Sequence, residues 1–349
     1  MNKKLVVIID VLRTSCLGDL LLEECRKQAT NLDVVSHTGR LSELVEDLQT
    51  KIIFVPISQN YYRDIKHIRS KRKDIFVVSY QETSFWQKAE QYAIGLEQLK
   101  KDSVNLSLMF DNETGSCMII APEETTYDDE RENVKKAIKG VVEMALLRSH
   151  LTFTRSIVKD GKPVDWNSEL IPDSLRKVVN YCIEQNAYKP VCGVTAGHFA
   201  HKLNDCTFLT SIRKTNFNKL SEVGLVRIET DGPDTVLAYG AKPSVGGQSQ
   251  RIVFKDHPDC DCIIHFHVPL NEDSKIPTVS QREFECGSHE CGNNTSKGLQ
   301  KFDNLYAVYL DNHGPNIVFN QTIDPQEVID FINKNFDLTK KTGGYIVPS

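Results

Sequence analysis

The stretch Cys260-Asp261-Cys262-Ile263-Ile264-His265-Phe266-His267-Val268-Pro269 constrains the fold of this chain more than any other. Its run of apolar residues reads as a short buried β-strand, in which successive side chains point to opposite faces. His265 and His267 then share one face, while Ile264 and Phe266 pack on the other. A buried imidazole needs a hydrogen-bond partner or a metal, and the i, i+2 spacing by itself leaves both open. Cys260 and Cys262 have the opposite parity and are expected to face away from the two histidines.

The surrounding chain alternates apolar runs with amphipathic stretches. Residues 5–10, 33–37, 51–56 and 74–80 read as strands, and residues 20–26, 41–48, 61–72 and 85–101 as helices between or after them. Strands alternating with helices predict a parallel sheet covered on both faces. Residues 104–110 and 116–121 flank Asp111-Asn112-Glu113-Thr114-Gly115, a hairpin turn, and 128–149 reads as a long helix. With 349 residues and about 100–200 per domain, two domains are expected. The fold class expected is α/β: a Rossmann-like or flavodoxin-like parallel sheet over 1–155 and a second α/β domain over 156–349. A helix at 173–185 opens the second domain. Near its end, Asp324-Pro325-Gln326-Glu327 reads as a capping box for the helix 327–335, and 340–349 reads as a polar tail.

Composition excludes several roles. A net charge of -5 leaves no electrostatic footprint for nucleic acid or an anionic membrane. No apolar run approaches the ~20 residues of a membrane helix, and the run 5–9 is stopped by Asp10, too short for a secretory signal. The ten cysteines are scattered through apolar stretches, so a reducing, cytoplasmic location is expected. Cys260-x-Cys262 and Cys286-x4-Cys291 do not have the spacing of a common zinc module; buried free thiols are the simpler reading. In the first domain, Leu12-Arg13-Thr14-Ser15-Cys16 lacks the glycines of a phosphate loop. Ligands of open α/β sheets sit beyond the carboxyl ends of the strands, here Asp10, His37, Ser58, Gln59 and Gln81. These residues fit a small-molecule site, but ordinary loop polarity with a dimerisation or scaffold role is the simpler reading.

From Val191 onward the chain carries Gly193-Val194-Thr195-Ala196-Gly197-His198, Lys242-Pro243-Ser244, Cys286-Gly287-Ser288-His289-Glu290 and Asn312-His313-Gly314 around the two histidines, and in this it resembles the class II aldolase/adducin family, the zinc-dependent sugar-phosphate aldolases and their relatives. Gly193-Val194-Thr195-Ala196-Gly197-His198 is similar to the family's G-x-x-x-G-N segment, with His198 in place of Asn. Lys242-Pro243-Ser244 resembles K-x-P-S-S-E, Cys286-Gly287-Ser288-His289-Glu290 a later P-G-[ST]-x-E turn, and Asn312-His313-Gly314 the family's N-H-G. The resemblance implies that His265, His267 and His313 bind one divalent ion, Zn2+ by preference. Three imidazoles with an open fourth position make a catalytic arrangement, placing positive charge where negative charge develops during C–C cleavage. Thr195, His198, Ser211, Arg213, Lys214 and Ser244 are the implied substrate or phosphate contacts, on a phosphorylated small molecule. A homo-oligomer, commonly a tetramer, is implied as well.

The departures matter as much. Counted back from His265, the family's catalytic carboxylate falls on Gly246, which cannot move a proton. Glu285, His289 and Glu290 on the later turn are the candidate replacements. Arg213 and Lys214 stand where the family places small residues; they read as a phosphate-binding pair or as a solvated basic turn. A metal-dependent lyase, isomerase or dehydratase is expected, with a non-catalytic adducin-like scaffold or sensor as the alternative.

Overall fold

A computed structural model gives the fold and describes residues 4–9, 16–37, 41–45, 49–56, 62–72, 74–84, 87–99, 104–128, 133–191 and 193–344. The chain divides into two compact units, Met1–Leu151 with Gly344–Ser349, and Thr152–Gly343.

The first unit runs β1 (Lys4–Ile9), α1 (Cys16–Gln28), β2 (Leu32–His37), β3 (Thr50–Pro56), α2 (Tyr62–Lys71), β4 (Phe76–Thr83), α3 (Lys88–Glu97), β5 (Leu106–Asp111), β6 (Cys117–Ile120), β7 (Thr125–Asp128) and α4 (Val134–Arg148). Its sheet has the order β2-β1-β3-β4-β5-β6-β7. The first five strands in that order pair in parallel and the last two antiparallel. Central strands covered on both faces must be apolar throughout, and Ile52-Ile53-Phe54-Val55 is fully buried. Alternation splits them: Ile52 and Phe54 pack with α1 and α4 through Leu17, Leu21 and Val141, whereas Ile53 and Val55 pack with Ile65 and Ile68 of α2.

Two local readings differ from the sequence. Of residues 41–48, expected as a helix, Leu41–Val45 form a 3-10 turn and 46–48 fall outside the described residues. The helix expected from residue 128 begins at Val134, because Thr125–Asp128 is taken into the sheet as β7 beside β6. Of the strand-end residues considered for a ligand, His37 ends β2 and Gln81 lies on β4; Asp10, Ser58 and Gln59 fall outside the described residues.

The second unit runs β8 (Arg155–Lys159), α5 (Asp173–Glu184), β9 (Pro190–Val191), β10 (Val194–Thr195), β11 (His198–Lys202), β12 (Thr207–Ser211), α6 (Leu220–Val223), β13 (Leu225–Thr230), β14 (Thr235–Tyr239), α7 (Val245–Asp256), β15 (Cys262–His265), β16 (Thr278–Val279), α8 (His289–Gly298), β17 (Gln300–Phe302), β18 (Leu305–Leu310), β19 (Gly314–Phe319) and α9 (Pro325–Asn335). The main sheet has the order β16-β18-β19-β15-β11-β12-β13-β14-β8. β15 sits between β11 and β19, antiparallel to both. Phe199, Leu209, Cys262, Ile264, Ile317 and Phe319 pack on one face against α5 and α9. Ala200, Phe208, Ile263 and Val318 pack on the other against Val253 and Phe254 of α7. In α5 the apolar positions Leu175, Val178, Val179 and Cys182 recur at helical spacing, so one stripe is buried.

Asp324 caps α9 by accepting from the Gln326 amide at 2.9 Å, with Pro325 in the first turn. The Glu327 carboxylate receives the Asn304 amide at 2.8 Å rather than closing the expected box. Residues expected as a polar tail are partly structural: Lys341 donates its ammonium to the Asn186 carbonyl, and Thr342 is tied to the strand ends described next.

Candidate functional site

β15 delivers His265, the chain just beyond it delivers His267, and the turn between β18 and β19 delivers His313. Gly314 makes that turn possible: at φ +148, a side chain there would collide with the Phe266 carbonyl. The donor nitrogens of the three rings lie within 4.8 Å of one another. His265 and His313 stack with centroids 4.8 Å apart, and His267 lies 4.4 Å from His313. All three rings are buried.

His265 shows what the arrangement suits. Its Nδ1 lies 2.7 Å from the Pro315 carbonyl, which can only accept, so Nδ1 carries the proton. Nε2 is buried and has no hydrogen-bond partner among the described residues. A neutral imidazole held by a backbone carbonyl, with its other lone pair buried and unused, is the usual state of a metal-ligating histidine. Burial also brings the His265 pKa down to about 4, and burial followed by the charge of His265 holds His267 well below the ordinary histidine value. Neutral ligands are what a divalent ion requires. The donor set therefore fits a zinc-type ion.

His198 on β11 pairs in register with His265, and the two rings are 4.8 Å apart. Its Nδ1 is bonded to the amide nitrogen of Gln250 on α7, whose amide oxygen accepts from Thr210 Oγ1 at 3.2 Å. That pairing leaves the proton of the neutral His198 ring on Nε2. Burial, then the neighbouring His265 and His267, depress the His198 pKa well below the usual value. The cavity beside His265 and His313 is lined by His198, Gln250, Cys286, Cys291, Thr295 and Asn316 among its polar groups. No carboxylate appears among its described lining residues. Gly246 lies in the first turn of α7, one turn before Gln250.

The other candidates divide into two places. Ser211 ends β12, and its carbonyl accepts from the Ser244 amide at 3.0 Å, while the Arg213 amide donates to the Lys242 carbonyl at 2.9 Å. These bonds set Ser211, Arg213 and Lys214 beside the amino end of α7, where Ser244 is the N-cap residue. Thr195 belongs to the same neighbourhood: its hydroxyl accepts from the Phe217 amide at 3.0 Å and its amide donates to Thr215. Burial and the Arg213 charge both lower the Lys242 pKa, so two cations converge there.

The later turn is used differently. The Glu290 carboxylate accepts from the Thr152 amide and hydroxyl at 2.9 and 3.1 Å. His289 Nε2 lies 2.8 Å from Thr154 Oγ1 and 3.4 Å from Arg251. Neither residue lines the histidine cavity, nor does Glu285; Cys286 from that turn does. Gln250 and Asn316 are the site residues that sequence reasoning does not single out, while Cys286 and Cys291, read there as buried free thiols, line the cavity. The helical spacing from Gly246 to Gln250 is the one signal pointing to Gln250.

A closing segment completes the site. The Thr342 amide donates to the His267 carbonyl at 3.2 Å. Gly343 follows at φ +89, where a Cβ would lie 2.7 Å from His267 Nδ1.

The fold and site together define a mixed α/β protein with a buried three-imidazole pocket. No protein-family model matches the chain, and comparison with curated proteins gives no match. Solved structures with partial likeness include YgbL from Escherichia coli, a candidate aldolase/epimerase/decarboxylase, at 16% identity and TM-score 0.35, covering 46% of this chain and 84% of that one. L-fuculose 1-phosphate aldolase matches at 15% identity and TM-score 0.34, covering 48% and 85%. A DNA/pantothenate metabolism flavoprotein from Streptococcus pneumoniae matches at 10% identity and TM-score 0.30, covering 42% and 100%. Likenesses this distant carry no functional argument. Among the described residues, no helix is long and apolar enough to cross a membrane.

Proposed function

We propose that this protein is a divalent-metal-dependent lyase of the class II aldolase type, or a related isomerase or dehydratase, acting on a phosphorylated sugar or similar anionic hydroxy-carbonyl compound. The observation that carries this reading is the buried His265, His267 and His313 cluster, with His265 Nε2 left without a hydrogen-bond partner among the described residues. His265, His267 and His313 would hold the ion, zinc by preference. When bound, it supplies Lewis-acid polarisation of a carbonyl oxygen.

The chain's own residues do the rest. His198 Nε2–H donates to the oxygen on which negative charge develops, and Gln250 fixes the tautomer that makes it a donor. Ser211, Arg213, Lys214 and Ser244, at the amino end of α7, hold the phosphate through charge and helix-end amides. Thr195 supports the same loop. With Gly246 at the family's carboxylate position, proton movement falls to another group, and Glu285, His289 and Glu290 are supported less well by their contacts than His198. Metal analysis of the native chain beside His265→Ala tests the reading: loss of one equivalent, together with loss of retro-aldol turnover on sugar phosphates, is expected. Unchanged turnover in the variant would refute it.

A second reading is favoured by one observation, the lack of a carboxylate among the cavity's described lining residues. In this reading the chain is an adducin-like scaffold or ligand sensor. Gly246→Glu separates the two, since gain of retro-aldol activity would mark an aldolase that has lost its base. The first unit as a separate domain, a homo-oligomeric assembly and a cytoplasmic location belong to the same proposal.

A further inference from the structure

His265 stands in the middle of a row of side chains that crosses three strands. It pairs in register with His198 of β11 on one side and with Asn316 of β19 on the other. Residues directly opposite in antiparallel strands share a face, with Cβ atoms about 4.5–5.5 Å apart. By alternation that face is the one on which Ala200, Ile263 and Val318 pack against α7. Asn316 is 3% exposed and lines the histidine cavity, and its side chain makes no hydrogen bond among the described residues. A buried amide is ordinarily matched, because leaving it dry and unpaired costs free energy. The Asn316 amide thus faces the cavity with its hydrogen-bonding capacity unspent. Its neighbour Pro315 holds His265 Nδ1 through the backbone carbonyl, so Asn316 is fixed beside the ring it flanks. No lysine or arginine appears among the cavity's described lining residues, and the walls select by hydrogen bond rather than by ion pair.

The two ends of the row offer different chemistry. His198, held by Gln250 at Nδ1, presents Nε2–H and can only donate, which suits a carbonyl oxygen. The Asn316 amide both donates and accepts, as a hydroxyl does. Resting on the hydroxy-carbonyl reading of this cavity, we propose that Asn316 is the specificity-determining residue that recognises the hydroxyl next to the substrate's carbonyl. The substrate lies across His265, its carbonyl oxygen toward β11 and its hydroxyl toward β19. Asn316 moves no proton. It selects hydroxy-carbonyl compounds over the deoxy analogues that would leave its amide unpaired.

Calorimetric titration of the zinc-loaded full chain tests it with dihydroxyacetone phosphate and hydroxyacetone phosphate, which differ only by the hydroxyl beside the carbonyl. The native chain is expected to bind the first about 5–150-fold more tightly, the effect of one buried polar group left unmatched by the second. Asn316→Leu removes the hydrogen-bonding groups and keeps the branched shape. In it the preference is expected to disappear while hydroxyacetone phosphate still binds. Equal binding of the two compounds by the native chain, or a preference that survives in Asn316→Leu, overturns the assignment and leaves the lyase reading standing. Binding of neither compound by the native chain overturns the lyase reading and the assignment with it. Should Asn316→Leu fail to fold, Asn316→Ala with native circular dichroism serves, and a preference retained there overturns the assignment equally.

Discussion

The hydroxyl of Thr342 donates to the carbonyl oxygen of His313 at 2.8 Å. With the Thr342 amide on the His267 carbonyl, one residue near the chain's end pins the backbones of two of the three histidines. Gly343→Val would place a side chain against His267 Nδ1 at a φ of +89 that disfavours it. Competition with a chelator is expected to show metal affinity reduced roughly 10–100-fold, the usual effect of disturbing a ligand's support. Unchanged affinity would show that the segment does not hold the ring.

The histidines also set a pH dependence. His265 has a pKa of about 4 in the folded chain against an ordinary 6.5, chiefly through burial. Below 6.5 the unfolded chain binds a proton that the folded chain refuses, so stability falls as pH falls. The contribution is complete above 6.5 and is lost progressively down to about 4, amounting to roughly 3 kcal/mol. Urea unfolding of metal-free protein across this range should show the loss, and His265→Phe should lessen it, with the buried His198 and His267 supplying the remainder. A profile that is flat in both would remove His265 as the cause.

Gln250 joins α7 to the sheet through Thr210 and His198 and is 1% exposed. Gln250→Leu keeps the volume but leaves buried polar partners unmatched, at a cost of about 1–3 kcal/mol. In the enzyme reading it also frees the His198 tautomer, so kcat should fall more than KM rises. A variant that loses stability alone would limit Gln250 to a packing role.

The first unit has its own exposed point of failure. Arg148 donates to Glu123 at 3.0 Å, and their side chains are 1% and 4% exposed. Removing one partner of a buried pair takes away a counter-charge that offsets the other's desolvation, so Glu123→Ala should destabilise by up to about 3–5 kcal/mol. Replacing both, as in Glu123→Leu with Arg148→Met, should recover most of that in thermal unfolding.

What the sequence reveals follows the range of the interaction. Periods of two and 3.6 are local, so β3, β4, α4 and the capped α9 are legible directly. Residues 41–45 carry a helical period yet form a 3-10 turn, an outcome that no local pattern carries. Residues 125–128 join the sheet because β6 offers an open edge, a tertiary fact that no local pattern carries. His265 and His267 are readable together through strand parity, whereas His313 needs the family resemblance, since His265 meets its neighbour Pro315 across 50 residues. Thr342 reaches the site only through packing and nothing local marks it, while Gln250 is marked only by its helical spacing from Gly246. Glu290 looks like a spare carboxylate in sequence and turns out to hold Thr152 in place.

Strand order has a consequence for how the histidine cluster comes into being. β11 to β14 can pair one after another as the chain emerges, because each lies beside its successor. β15 cannot, since Cys262 meets His201 across 61 residues and His265 meets Pro315 across 50. Such non-local closures come late on the folding path. The three-histidine cluster therefore forms only when the last strand inserts, and residues 341–343 close over it last of all. Synthesis itself leaves a brief interval in which the rings are assembled and still uncovered, and in the metal-dependent reading that is the moment for an ion to be captured.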